Sequence, residues 1–119
     1  MRRFLESLAH ALDGLKEIAH SEANFRTQLA MGAASFALCA FFRVSSNEWA
    51  IVSLACGLSL GAEALNSAIE RFVDSLIDYP DERAKQAKDA AAGAALICAL
   101  SAFAVGVAVF APRLQKMLN

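Results

Sequence analysis

The chain has 119 residues, which is the size of one domain. Hydrophobic residues make up 57% of it, the mean hydropathy is +0.43, and the surplus lies in three segments. This distribution indicates a membrane protein. A net charge of −1 gives no indication of a nucleic-acid partner. The three cysteines lie one in each apolar segment without CxxC spacing, so we expect neither a metal centre nor a disulfide.

Residues 1–22 have the pattern of an amphipathic helix. Phe4, Leu8, Leu12 and Leu15 recur at helical intervals and form one apolar stripe, and charged residues cover much of the remaining surface. We expect this helix to lie on a membrane surface with its arginines near the lipid headgroups. Because charges interrupt the apolar positions, we expect no cleaved signal peptide.

Three further helices are predicted to cross the membrane, at about 27–43, 49–76 and 88–111. A polar turn separates the first two, and the segment around Pro80 should end the second, because proline cannot continue the helical hydrogen bonds. Pro112 is expected to end the third. The predicted fold class is an all-α membrane protein, a surface helix followed by three transmembrane helices.

The basic residues predict the orientation of these spans. Eight of the 11 lysines and arginines fall on one side, before the first span or between the second and third, and three fall on the other. Cytoplasmic loops carry the excess of basic residues. We therefore expect a multi-pass membrane protein with its amino terminus and second loop in the cytoplasm.

The second span carries a stripe of polar residues. Glu63, Glu70 and Asp74 fall within about 40° of one another on a helix, and Asn66 lies beside them. No charge occurs from Trp49 to Ala62, so the stripe begins inside the apolar segment. Ionisable groups at such positions are costly and usually functional. The alternative is the solvated face of a soluble helix.

Such a stripe has three possible uses. It could hold a divalent cation and a nucleotide while a deeper carboxylate acts on a lipid headgroup, it could conduct protons or ions, or it could be a structural polar core. Mg²⁺ favours one or two carboxylates together with substrate phosphates, and Glu22 and Glu70 could supply that pair. Lys88 suits a phosphate contact, and Glu63 could take a proton from an alcohol. The usual soluble nucleotide and hydrolase motifs are absent.

Three motifs carry a resemblance to a known family. Glu63-Ala-Leu-Asn-Ser-Ala-Ile-Glu70-x-x-x-Asp74, then Ala87-Lys88-Asp89-x-Ala-Ala, and Glu22-Ala-Asn-Phe25-Arg26 resemble the motifs of the prokaryotic diacylglycerol kinases. The resemblance covers nearly the whole chain. It implies a small three-span membrane kinase with a surface helix, assembled as a homotrimer with sites between subunits. Such enzymes transfer the γ-phosphate of ATP to diacylglycerol or, in one branch, to undecaprenol.

The resemblance also implies roles for individual residues. It implies Glu63 as the catalytic base, and Glu22 with Glu70 as ligands of Mg²⁺ or a similar divalent cation. The residues implied to bind ATP are Arg3, Glu22, Glu70, Asp74, Lys88 and Asp89. The residues implied to contact the lipid substrate are Phe25, Arg26, Glu63 and Asn66.

Two departures bear on these implied roles. The loop that usually carries Glu-Tyr-His reads Asp78-Tyr79-Pro80-Asp81, so nucleotide contacts from the loop are in question. Gln28 stands where diacylglycerol-specific members have Glu, which favours the undecaprenol branch slightly. The rival hypothesis is a non-enzymatic oligomeric channel or a membrane structural module, but the apolar outer halves of the spans favour a kinase.

Overall fold

The computed structural model describes residues 1–119 as four helices, α1 (Arg2–Ser21), α2 (Ala23–Phe42), α3 (Ser46–Leu76) and α4 (Glu82–Leu118). It contains no strand. Helices α2, α3 and α4 are each long and apolar enough to cross a membrane. The predictions of an all-helical chain and of three spans are therefore confirmed.

The helix ends follow from local capping chemistry. A single extended residue, Glu22, separates α1 from α2. Arg43 closes α2 in the left-handed conformation, with φ of 50°. Ser45 and Glu48 then form a reciprocal capping box at the start of α3, in which the Ser45 N–H donates to the Glu48 carboxylate at 2.8 Å. These caps satisfy backbone groups that a helix leaves unpaired at its termini.

The predicted break around Pro80 is confirmed, because α3 ends at Leu76 and α4 begins at Glu82. Asp81 caps α4 by accepting a hydrogen bond from the Ala84 N–H at 2.8 Å. The 31 residues of α3 span about 46 Å, more than the ~30 Å hydrocarbon core. One end of α3 therefore extends beyond the apolar layer.

The prediction that Pro112 ends the last helix is wrong, because α4 continues through it to Leu118. Proline removes one backbone donor, the N–H that would bond to the Ala108 carbonyl, but this loss falls near the end of the helix. The next residue stabilises this turn. The Arg113 guanidinium donates to the Val109 carbonyl at 2.5 Å and to the Glu48 carboxylate at 2.8 Å, which ties α4 to the start of α3.

Helix α4 packs mainly against α3, α2 packs against α3, and α1 contacts α2 and α3. An apolar cluster holds the bundle together at the end that contains the α2–α3 turn. Its buried members are Cys39, Val44, Val52, Val109 and Phe110. Only 11 of the 119 residues are buried in the chain, so most of the apolar helix surface is left for lipid or for other proteins.

We expect Phe110→Ala to destabilise the fold by about 3 kcal/mol, because its side chain is 6% exposed and its removal leaves a cavity against Phe42. Phe103→Ala is the matched control, since Phe103 lies two turns earlier on the same helix and is 62% exposed. Unfolding in mixed micelles would measure both variants. Equal losses of stability would contradict the assignment of this cluster as the core.

Candidate active site

A buried carboxylate lies in the middle of the bundle. Glu63 on α3 is only 7% exposed. Its Oε2 accepts a hydrogen bond from the side-chain amide of Gln28 on α2 at 3.3 Å, and the carbonyl oxygen of that amide accepts one from the Ser59 hydroxyl at 2.8 Å. Glu63 forms no ion pair. Neutral groups therefore hold this carboxylate.

The buried face of α3 is polar near Glu63. Ser59, Glu63 and Ser67 are spaced four residues apart, and they are the three buried polar residues of the chain. Residues at this spacing share one helix face. The small-residue face that the sequence also carries, Ser53, Gly57 and Gly61, stays exposed. Within one chain α3 thus turns its polar face inward.

A charged cluster lies at the end of α3 next to the α3–α4 loop. The Lys88 ammonium on α4 donates to Asp74 at 2.7 Å and lies 3.8 Å from Glu70, both on α3. Lys85 pairs with Asp89 along α4 at 2.6 Å. The structure therefore brings four of the residues predicted to bind ATP to one end of the α3–α4 pair: Glu70, Asp74, Lys88 and Asp89.

Arg71 joins the amino-terminal helix to α3. Its guanidinium donates to Glu17 at 2.8 Å and to Ser21, and it lies 3.5 Å from Glu22. Glu22 therefore reaches the same end of α3 as the charged cluster, through an arginine rather than through Glu70. Arg71 directly follows Glu70 in α3. One predicted metal ligand, Glu22, therefore pairs with the residue that follows the other, Glu70.

Other predicted site residues have different surroundings. Arg3 is exposed near the start of α1 and makes no ion pair, and Asn66 is half-buried with no side-chain hydrogen bond. Phe25 is buried, at 4% exposure. Arg26 donates to the carbonyl oxygens of Ala19 and His20, at 3.2 and 2.9 Å, at the end of α1. The roles of these residues in substrate binding remain predictions.

Two carboxylates are enough for Mg²⁺ when phosphates complete its coordination, since this ion keeps few protein ligands. No group of three or more metal-ligating side chains occurs in the chain. Glu22 and Glu70 would supply two carboxylates, the number that suits a cation bound together with a nucleotide.

Three residues of this network are not among the site residues predicted from the sequence: Gln28, Ser59 and Arg71. From the sequence, Gln28 indicates only the substrate branch, and Arg71 is one of the eight basic residues that predict the orientation. A signal for Ser59 existed, because it lies one helical turn before Glu63 on the same face. A signal for Gln28 existed too, since an amide within an apolar span needs a hydrogen-bonding partner.

Comparison with known proteins places the chain in a family. The family described as prokaryotic diacylglycerol kinase matches residues 9–110. The chain belongs to the prokaryotic diacylglycerol kinase family. The resemblance predicted from the three motifs is confirmed, and the chain is a membrane lipid kinase. Membership of this family favours the kinase over the channel hypothesis.

Individual relatives agree with this assignment. The chain is 39% identical to a Bacillus subtilis undecaprenol kinase, over 96% of this chain and 93% of that protein. It is 31% identical to a Synechocystis diacylglycerol kinase, over 96% of this chain and 66% of that protein. It is 33% identical to a Helicobacter pylori diacylglycerol kinase, over 81% and 75% of the two chains.

We expect Arg71→Ala to loosen α1, because this side chain makes the ion pairs between α1 and α3. The guanidinium is 38% exposed, so solvent weakens these pairs and the expected loss is about 1 kcal/mol, or roughly fivefold faster hydrogen–deuterium exchange of α1 amides. Arg83→Ala is the control, since Arg83 is exposed and makes no ion pair. Unchanged exchange in Arg71→Ala would show that apolar contacts alone hold α1.

Proposed function

We propose that this protein transfers the γ-phosphate of ATP to the hydroxyl group of a membrane lipid, diacylglycerol or undecaprenol. The observation that carries the proposal is the buried carboxylate of Glu63 within a membrane span, on the helix whose end contributes Glu70 and Asp74 to the charged cluster around Lys88. Glu63 lies about 10 Å along α3 from Glu70. An alcohol at headgroup depth and a nucleotide at the membrane surface would meet between them.

In the proposed reaction, Glu63 accepts the proton of the lipid hydroxyl as a general base. The hydroxyl oxygen forms a bond to the γ-phosphorus, and the bond between that phosphorus and the β–γ bridging oxygen breaks. The products are the lipid phosphate and ADP. Phosphoryl transfer depends mainly on positioning and on neutralisation of charge, so the remaining site residues need to orient and hold the two substrates.

The charged cluster is the proposed nucleotide site. Lys88 contacts the phosphates, and Asp74 and Asp89 shape the site around it, while Arg3 reaches it from α1. Glu22 and Glu70 hold the divalent cation, Mg²⁺ or a similar hard ion, which neutralises phosphate charge when bound. The ion pairs that gather Glu22, Glu70, Asp74 and Lys88 at one end of the bundle support this assignment, and the role of Arg3 rests on the family resemblance alone.

The lipid is proposed to bind next to Glu63, with Asn66, Phe25 and Arg26 shaping its site. We favour undecaprenol. The support is the 39% identity to an undecaprenol kinase over nearly the full length of both chains, together with Gln28 at a position where the diacylglycerol-specific members are expected to carry Glu.

The proposed setting is the bacterial inner membrane, with the amino terminus and the α3–α4 loop in the cytoplasm, where ATP is present. Helix α1 lies on the membrane surface, as the exposed apolar side chains of Phe4, Leu8 and Leu12 suggest. The chain assembles as a homotrimer with sites between subunits. The exposed small residues Gly57 and Gly61 offer α3 a face for close helix contact.

We expect Glu63→Gln to lower kcat by at least about a hundredfold, because the amide cannot accept the hydroxyl proton. Transfer of labelled γ-phosphate to undecaprenol and diacylglycerol, offered in parallel in mixed micelles, measures it. Label should enter undecaprenol preferentially.

Glu48→Gln is the control, since Glu48 lies at the other end of α3 and an amide oxygen there can still accept the Arg113 hydrogen bond. Full activity of Glu63→Gln would refute the proposed base. Label in diacylglycerol alone would refute the preference for undecaprenol.

We expect Lys88→Met to raise KM for ATP about tenfold, because a charge-assisted hydrogen bond to phosphate is lost. KM for the lipid should change little. Lys116→Met, at the far end of the same helix, is the control. If Lys88→Met raised only KM for the lipid, the nucleotide site would lie elsewhere. Initial rates with varied ATP and varied lipid distinguish these results.

A further inference from the structure

The side chain that holds Glu63 has two chemically different ends. The amide nitrogen of Gln28 can only donate a hydrogen bond, and its oxygen can only accept one. In the structure the nitrogen faces the Glu63 carboxylate at 3.3 Å, and the oxygen accepts from Ser59 at 2.8 Å. If the amide turned by 180°, its oxygen would face the carboxylate and repel it. The negative charge of Glu63 therefore selects this orientation of the amide, and the Ser59 hydroxyl, which can donate or accept, donates to the amide oxygen that faces it.

We propose that Gln28 and Ser59 are positioning residues for the catalytic base. Ser59 anchors the amide oxygen of Gln28, and the amide nitrogen holds one oxygen of Glu63, Oε2, so that the other oxygen, Oε1, is left for the lipid hydroxyl. This proposal rests on the proposed function, since it needs Glu63 to be the base. It assigns to Ser59 a role that acts only through Gln28.

The neutrality of this arrangement suits a base. A carboxylate buried at 7% exposure needs a hydrogen-bond donor. A cationic partner would stabilise the charged form strongly and weaken its tendency to take a proton. Here each lysine and arginine that forms an ion pair does so with another carboxylate, such as Lys88 with Asp74 and Arg113 with Glu48. An amide supplies the donor without a cation, and it leaves Glu63 able to accept the hydroxyl proton.

The competing explanation is structural. A hydrogen bond between α2 and α3 could simply tie two membrane helices together, as polar side chains do within bundles. In that case, loss of Gln28 or Ser59 would lower stability and would leave kcat of the folded protein unchanged. The two explanations also differ in coupling, since a purely structural Ser59 contact has no reason to act on catalysis through Gln28.

A double-mutant cycle on the full-length protein separates them. The variants are Gln28→Met, Ser59→Ala and the pair, with Ser59→Thr as the conservative substitution that keeps the hydroxyl. We expect Gln28→Met to lower kcat about tenfold with KM for ATP unchanged. Ser59→Ala should lower kcat about fivefold alone and should have no further effect when combined with Gln28→Met. Ser59→Thr should retain most of the activity.

A spectroscopic measurement makes the test independent of turnover. The infrared carboxylate bands of Glu63, obtained by subtracting the spectrum of Glu63→Gln, should shift in Gln28→Met and shift less in Ser59→Ala. Unchanged carboxylate bands and unchanged kcat in both variants would overturn the proposal. An equal loss of kcat on Ser59→Ala in the wild type and in Gln28→Met would overturn it too. Activity retained by Glu63→Gln would instead refute the base itself, so the two failures are distinct.

Discussion

A carboxylate inside an apolar helix must find hydrogen-bond donors within the bundle, because the surrounding lipid offers none. Much of the arrangement around Glu63 follows from this constraint. The polar residues of α3 around Glu63 turn inward to Gln28 of α2, while Leu54, Gly57, Leu58 and Gly61 remain exposed. The packing of α2 on α3 therefore depends on a polar contact as well as on shape.

The partners of the carboxylates change along α3. Glu63, within the span, has only an amide partner, whereas Glu70 and Asp74, nearer the α3–α4 loop, lie beside the ammonium group of Lys88. Charge becomes less costly as a helix leaves the hydrocarbon layer, so ion pairs can form there. One helix can thus offer a neutral environment for proton transfer and a charged one for phosphates, about two turns apart.

Sequence periodicity predicted the helices and the polar stripe, because spacing alone determines which residues share a helix face. It could not predict the partners of that stripe. The pairing of Arg71 with Glu22 depends on the direction in which the chain turns at the single residue between α1 and α2. The contact of Gln28 with Glu63 depends on the register between α2 and α3. The failure at Pro112 has a similar origin, since a neighbouring helix supplies the partner of Arg113.

The ion pairs at the proposed nucleotide site limit how that site can be filled. The single positive charge of Lys88 is shared between Asp74 and Glu70, and that of Arg71 is shared between Glu17 and Glu22. If Lys88 turned to a phosphate alone, two carboxylates would be left together without a positive partner. A divalent cation that arrives with the nucleotide would supply the missing positive charge. The existing pairs therefore favour a nucleotide carrying its own divalent cation over a bare one, and they connect occupancy of the site to the position of α1.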